Sequence, residues 1–216
     1  NITWGSLSSG DTLKCAGSFT EALIPATDGI MIEGKYTGAI TIIDAVGLLV
    51  GLDCDSRDGV EIKGFNVKNA TNQNIEVNNS TDCHVHSCLA ENSGFDDMRL
   101  KHSSNCSITY CVSMNPVRRS FTLSTANVGV GMSDCIIEIC ASFGAGLRGY
   151  TMSGDTASSL ITNSTIKNCL AQECLEGLQV NNTDSGCVLE NLRLIDNGDT
   201  GIYEVSNVSG TEFKNI

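Results

Sequence analysis

Asp96 and Asp97 stand side by side ahead of the alternating run Met98-Arg-Leu-Lys101-His102. Two carboxylates at a strand entrance are the equipment of glycoside hydrolysis, one giving a proton and the other activating or replacing water. The alternative is ordinary turn chemistry, in which an aspartate shapes the bend before a strand. Outward positions of neighbouring short runs supply a second group: Arg99, Lys101 and Arg148, with Arg118 and Arg119 on the turn before Ser120. Glu76, His102 and Tyr150 fall beside them in the same reading. Arginine grips carboxylates at two points and an aromatic ring stacks on a sugar, so this strip suits an anionic polysaccharide. Taking a proton from beside a uronic-acid carboxylate needs that carboxylate neutralised and a base at hand, roles that Arg, Lys, His and Tyr fill. The same residues also read as a solvated sheet face whose charges prevent edge association. In Asp53-Cys-Asp55-Ser-Arg-Asp58-Gly59 the spaced carboxylates suit Ca2+, although the run is one residue too long for a helix-loop-helix calcium loop and lacks its closing glutamate. No G-x-S-x-G elbow and no P-loop occur.

The elements that position these residues are marked by cysteine. Cys83-His-Val-His-Ser-Cys88, Cys106-Ser-Ile-Thr-Tyr-Cys111 and Cys135-Ile-Ile-Glu-Ile-Cys140 share the pattern C-x-[VI]-x-x-C. Ser164-Thr-Ile-Lys-Asn-Cys169 and Cys187-Val-Leu-Glu-Asn-Leu192 continue it with one cysteine replaced. Positions 83, 106, 135, 164 and 187 are 23, 29, 29 and 23 residues apart, which is one coil of a solenoid with six residues added in two coils. A second column of alternating runs lies upstream of each copy, among them Asn74–Asn79, Asp97–His102, Ser120–Ser124, Gly146–Tyr150, Gly177–Asn181 and Gly201–Val205. Apolar residues at i and i+2 put one face inward and one outward. Polar clusters such as Asn79-Ser-Thr-Asp82 and His102-Ser-Ser-Asn105 read as the turns between columns. Strand, turn, strand, turn at this period predicts an all-β fold, a parallel β-solenoid of about nine coils stacked at roughly 4.8 Å.

Both cysteines of each copy are expected to point inward and stack as free thiols, since cysteine is among the most buried residue types. A bridge within a corner, Cys83 to Cys88, and a zinc site are the alternatives. With 11 cysteines at least one thiol is left over in any pairing within the chain. The 216 residues carry 13 basic and 25 acidic side chains, a net charge of −12, which argues against the basic surface that nucleic acid selects. Two prolines exclude a proline-rich or collagen-like chain, and 41% hydrophobic residues exclude a disordered one. The longest apolar stretch, residues 39–52, is short and contains Asp44, so no membrane span is expected. One domain over 1–216 follows, with residues 1–27 as its N-terminal coil. No charged-then-apolar leader opens the chain, so Asn1 is expected to begin a mature protein. Residues 210–216 read as an uncapped coil, to be covered by more chain or by a second subunit of a homo-oligomer. Eight N-x-[ST] sites follow from the Asn, Ser and Thr that the turns use.

In its repeat, residues 97–111 against G-I-x-I-x-x-S-x-N-x-x-I-x-N, and in its opening Gly10-Asp-Thr-Leu-Lys-Cys-Ala-Gly-Ser-Phe-Thr-Glu21, the sequence resembles the right-handed parallel β-helix proteins of the pectate-lyase-like superfamily. That resemblance implies a carbohydrate-directed protein, secreted or on a cell or virion surface: a polysaccharide lyase, a glycoside hydrolase or a tailspike-like depolymerase, with a non-catalytic binding or structural module as the alternative. It would also give Ca2+ the role of bridging an acidic substrate. Gly94-Phe-Asp-Asp-Met-Arg-Leu-Lys-His-Ser-Ser-Asn105 is similar to the polygalacturonase segment G-D-D-x-[IV]-x-[IVL]-K-x-x-S-x-N, which would make Asp96 and Asp97 the acid and base. The companion N-T-D, G-H-G and R-I-K segments of that family are missing; the first two places read Asn72-Gln-Asn74 and Asn115-Pro-Val-Arg-Arg119.

Overall fold

The computed structural model describes residues 7–35, 40–125, 130–154 and 160–216, with backbone alone for 204–207. Asn1 and the opening of the expected N-terminal coil lie outside the described residues, as do the side chains of Glu204 and Val205. No helix occurs among the described residues, and every strand pairs in parallel with its equivalent one coil away. Three sheets of nine, eight and nine strands form the walls, and the chain visits them in turn. The fourth coil shows the pattern: His84–His86 lies in the first sheet, Leu89–Glu91 in the second and Asp96–Lys101 in the third.

Where the sequence suggests two columns, the structure has three walls. One residue in the left-handed region separates the first two. Ser87, Tyr110, Ile139, Asn168 and Asn191 hold this corner in successive coils at φ between 51° and 56°. A glycine would be free there, whereas Ile139 adopts the conformation at a cost in strain. A second such corner, at Asn69, Asn92 and Asn115, ends the strands of the second sheet. The polar clusters after Asn78 and Lys101 form the turn from the third sheet back to the first, as their composition suggests.

Exact register builds the core. Val85 lies between Ile62 and Ile108 in the first sheet, and Met98 between Ile75 and Phe121 in the third. All eleven cysteines are buried thiols in this interior. The Cys83 amide donates to Cys106 Sγ at 3.3 Å and the Cys88 amide to Cys111 Sγ at 3.4 Å, so both cysteines of the repeat point inward. The added residues of the two long coils fall after Arg119–Ser124 and Arg148–Ser153, and short strands Met132–Ser133 and Ile161–Thr162 follow them. Extra length therefore enters at one wall only and leaves the other corners in register.

Candidate site on the outer face of the third sheet

The third sheet presents parallel columns of outward side chains, one residue per coil. Asp96, Arg119, Arg148 and Glu176 occupy one column. Asp53, Glu76, Arg99, Thr122, Thr151 and Gln179 occupy the next. Asp55, Asn78, Lys101, Ser124 and Ser153 form the third. Opposite charges meet between adjacent coils. Arg99 Nε donates to Glu76 Oε1 at 3.0 Å, and Arg148 Nε to Glu176 Oε2 at 2.6 Å. Arg119 Nη1 stands 3.6 Å from Asp96 Oδ2. The Arg118 guanidinium lies 3.9 Å above the Phe95 ring, and that of Arg148 lies 5.0 Å above Tyr203. A groove of about 410 Å³ opens here, bordered by Asn72, Gln73, Glu76, Phe95, Arg99 and Lys101.

Burial sets the electrostatics. Asp96 is closed off from solvent, and desolvation raises its pKa above the usual carboxylate range even though Arg119, Arg99 and Arg118 pull it down. The same loss of water lowers the pKa of Arg119. Asp53 is pushed up to about 6 by burial and by the neighbouring Glu76 and Asp55 carboxylates.

Arg99, Lys101 and Glu76 thus stand on the outer face that their alternation suggested, with Arg118, Arg119, Arg148 and Asp96 at the edge where the strands begin. Three other residues do not. Tyr150 is a correction: it belongs to the interior stack, in register with Phe121 and Leu178. Its ring stacks on Phe121 with centroids 5.2 Å apart, and its hydroxyl donates to the Cys140 carbonyl at 2.8 Å. Arg148, two residues earlier, has the same parity; it stands at the strand's first position, and its guanidinium lies over Tyr203 instead of in the core. Asp97 is the second correction. It is fully buried at the corner of the second and third sheets, accepting from Asn74 Nδ2 at 2.8 Å, Ser113 Oγ and the Ser93 amide. No surface ligand reaches it, and its donors hold it apart from Asp96, which faces Arg119. His102 takes a φ of 47° on the turn to the first sheet, where it borders a separate cavity of about 570 Å³ with Ser103, Ser104, Met132 and Thr162.

The suggested calcium ligands also separate. Asp53 faces Glu76, Asp55 accepts from Asn78 and Asn79, and Asp58 accepts from the Thr81 amide. Among the described residues no three His, Cys, Asp or Glu side chains are grouped to hold a metal ion. Phe95, Glu176 and Tyr203 are site residues that sequence reasoning missed. A signal existed for Glu176: it stands 28 residues after Arg148, one long coil away, at the equivalent position.

Residues 49–215 match the family described as right handed beta helix region. The chain belongs to that family. As a β-helix it shares its fold with tailspike protein 2 of the Escherichia coli O157:H7 bacteriophage CAB120, at 13% identity and a TM-score of 0.54 over 88% of this chain. The chain spans 26% of that tailspike's length. It is also similar to a polygalacturonase from Erwinia carotovora ssp. carotovora, at 11% identity, a TM-score of 0.48 and coverage of 97% and 84% of the two chains. Endopolygalacturonase I from Stereum purpureum matches at 14% identity and a TM-score of 0.45, over 96% of this chain and 92% of the other. No curated protein matches the sequence. No helix among the described residues is long and apolar enough to cross a membrane.

Proposed function

We propose that this β-helix is a carbohydrate-directed protein that holds a polysaccharide along the outer face of its third sheet, outside the cell or on a virion surface. One observation carries the reading: Arg118 and Arg119 stand over Phe95, Arg99 borders the same groove as that ring, and Arg148 lies beside Arg119 in the next coil. Coils repeat at roughly 4.8 Å, so a chain lying along the rod meets like side chains at each step. Guanidinium groups offer forked donors to sugar oxygens, and a half-buried ring gives the apolar contact that sugar faces favour. The test is binding of soluble polysaccharides by affinity electrophoresis. Arg148→Ala is expected to weaken retardation roughly tenfold, through loss of a charge-assisted contact. Retardation of no polysaccharide by the native protein would sink the reading.

A second reading, cleavage, is favoured by Asp96, a carboxyl group whose burial keeps it protonated to higher pH than usual beneath Arg119. Such a group can give a proton to a leaving oxygen if Arg119 moves aside, since Asp96 itself has no exposed surface. Turnover of pectate, polygalacturonate and alginate, with and without Ca2+, separates the two. Cleavage predicts product that disappears in Asp96→Asn while binding stays, whereas pure binding predicts no product from either protein.

A further inference from the structure

Gln73 opens the strand Gln73–Asn78 and borders the groove of the third sheet. The residue is 5% exposed, and its side-chain amide makes no hydrogen bond among the described residues. Its nitrogen and oxygen are not among the partnerless atoms sealed from solvent, so both meet the groove. Buried amides in folded proteins are normally paired, and here donor and acceptor are left for whatever enters. Leu49 borders the same groove and is 66% exposed. Its carbonyl accepts from the backbone amides of Asn72 at 3.0 Å and Gln73 at 3.2 Å, and Val50 is the register partner of Gln73. A single exposed leucine is ordinary on a protein surface. One that stands beside an unpaired amide in a groove makes a site with a polar and an apolar half.

An acetamido sugar carries both halves. Its N–H and the hydroxyl on the next ring carbon set a donor and an acceptor side by side, which the oxygen and the NH2 of one glutamine match. Its methyl group takes the apolar contact with Leu49 and Val50. A plain hydroxyl in that place offers nothing to the two apolar side chains. A carboxylate can use the glutamine NH2 but meets the glutamine oxygen with a second acceptor. Charged groups of the groove do not serve this end of it. Arg99 is held by Glu76, and Lys101 lies one coil on and five positions further along the strands, about 16 Å away. Resting on the polysaccharide reading above, we infer that the ligand contains acetamido sugars, and that Gln73 and Leu49 are specificity-determining residues that read the acetamido group.

The test uses the full chain with two pairs of soluble probes, and binding is measured by calorimetry. Chitotetraose and cellotetraose differ only in an acetamido group standing for a hydroxyl on each ring. Of hyaluronan and polygalacturonate, both acidic, only the first carries acetamido groups. The expected result is that the acetamido member of at least one pair binds about tenfold more tightly than its counterpart, from one neutral hydrogen bond and one buried methyl group. Gln73→Met keeps the length of the side chain and should leave the melting temperature equal or higher, since no hydrogen bond within the protein is lost. It is expected to weaken the acetamido probe about three- to tenfold and its counterpart less. Leu49→Ser, at an exposed position, should weaken the same probe about fourfold. Binding confined to cellotetraose or polygalacturonate, or equal within each pair, overturns this inference while the polysaccharide reading stands. Preference for the acetamido probe that either variant leaves intact overturns the role of that residue. Absence of binding to all four probes overturns both readings together.

Discussion

Asp97 has its carboxyl group inside the rod, where burial outweighs the Asn74, Ser93 and Ser113 donors and pushes its pKa up to about 6. An acid raised in this way binds its proton more tightly in the folded than in the unfolded state. Stability from this group is therefore complete below the ordinary aspartate value and is lost as pH rises through about 6. The loss is on the order of 3 kcal/mol above that window. Asp53 and Asp96 shift in the same direction. Asp97→Asn, which keeps the shape and the acceptor oxygen, should flatten the decline of melting temperature between pH 4 and 8 and gain stability mainly at the alkaline end. An unchanged pH profile in this variant would contradict the buried placement. Tyr150 gives a second check at this scale. Tyr150→Phe removes a buried hydrogen bond to the Cys140 carbonyl, and denaturant unfolding should register a cost of about 1 kcal/mol. Glycan binding should not change, because the ring lies inside.

Corners set the behaviour of the elements. Asn168, Asn191 and Asn215 stack at left-handed corners, and their side-chain amides link successive coils: Asn191 Nδ2 donates to Asn168 Oδ1 at 3.0 Å and Asn215 Nδ2 to Asn191 Oδ1 at 3.0 Å. Asn191→Ala loses both bonds and forces alanine to a φ near 51°, so a cost of about 2 kcal/mol is expected by chemical denaturation. Asn191→Gly keeps the conformation at no steric cost and should lose about half as much. Equal losses in the two variants would mean that the backbone conformation contributes nothing. These elements were partly legible in the sequence. The C-x-[VI]-x-x-C spacing located the corner between the first two sheets in the five coils that carry it or its variants, and the six added residues marked the two long coils. Their left-handed backbone was not legible, because a single Tyr110 or Ile139 leaves no glycine or proline to mark it.

At the scale of the molecule, the thiols report on the integrity of the stack. All eleven are buried, and thiol hydrogen bonds together with desolvation raise most of their pKa values, Cys106 to about 12, first through its bond with Cys135 and then through burial. A thiol reagent such as DTNB should find none in the native protein and eleven after unfolding in guanidinium. Partial native labelling confined to one end of the rod would instead show coils opening one by one, as expected when each coil contacts only its neighbours.

The sequence by itself determined the solenoid, its period, the inward cysteines and the wall on which arginine collects. Each follows from local alternation repeated at a constant interval, and repetition makes a weak local signal unambiguous. Tertiary structure alone decided which charged groups the face offers. Asp97 is turned inward by donors from Asn74, Ser93 and Ser113, and Tyr150 by stacking in register with Phe121, contacts that composition does not show. Arg99, Arg119 and Arg148 found carboxylates 23 to 28 residues away, in the coil before or after. Only register between coils brings such residues together, so only the folded rod shows paired charges where the sequence suggested a basic strip.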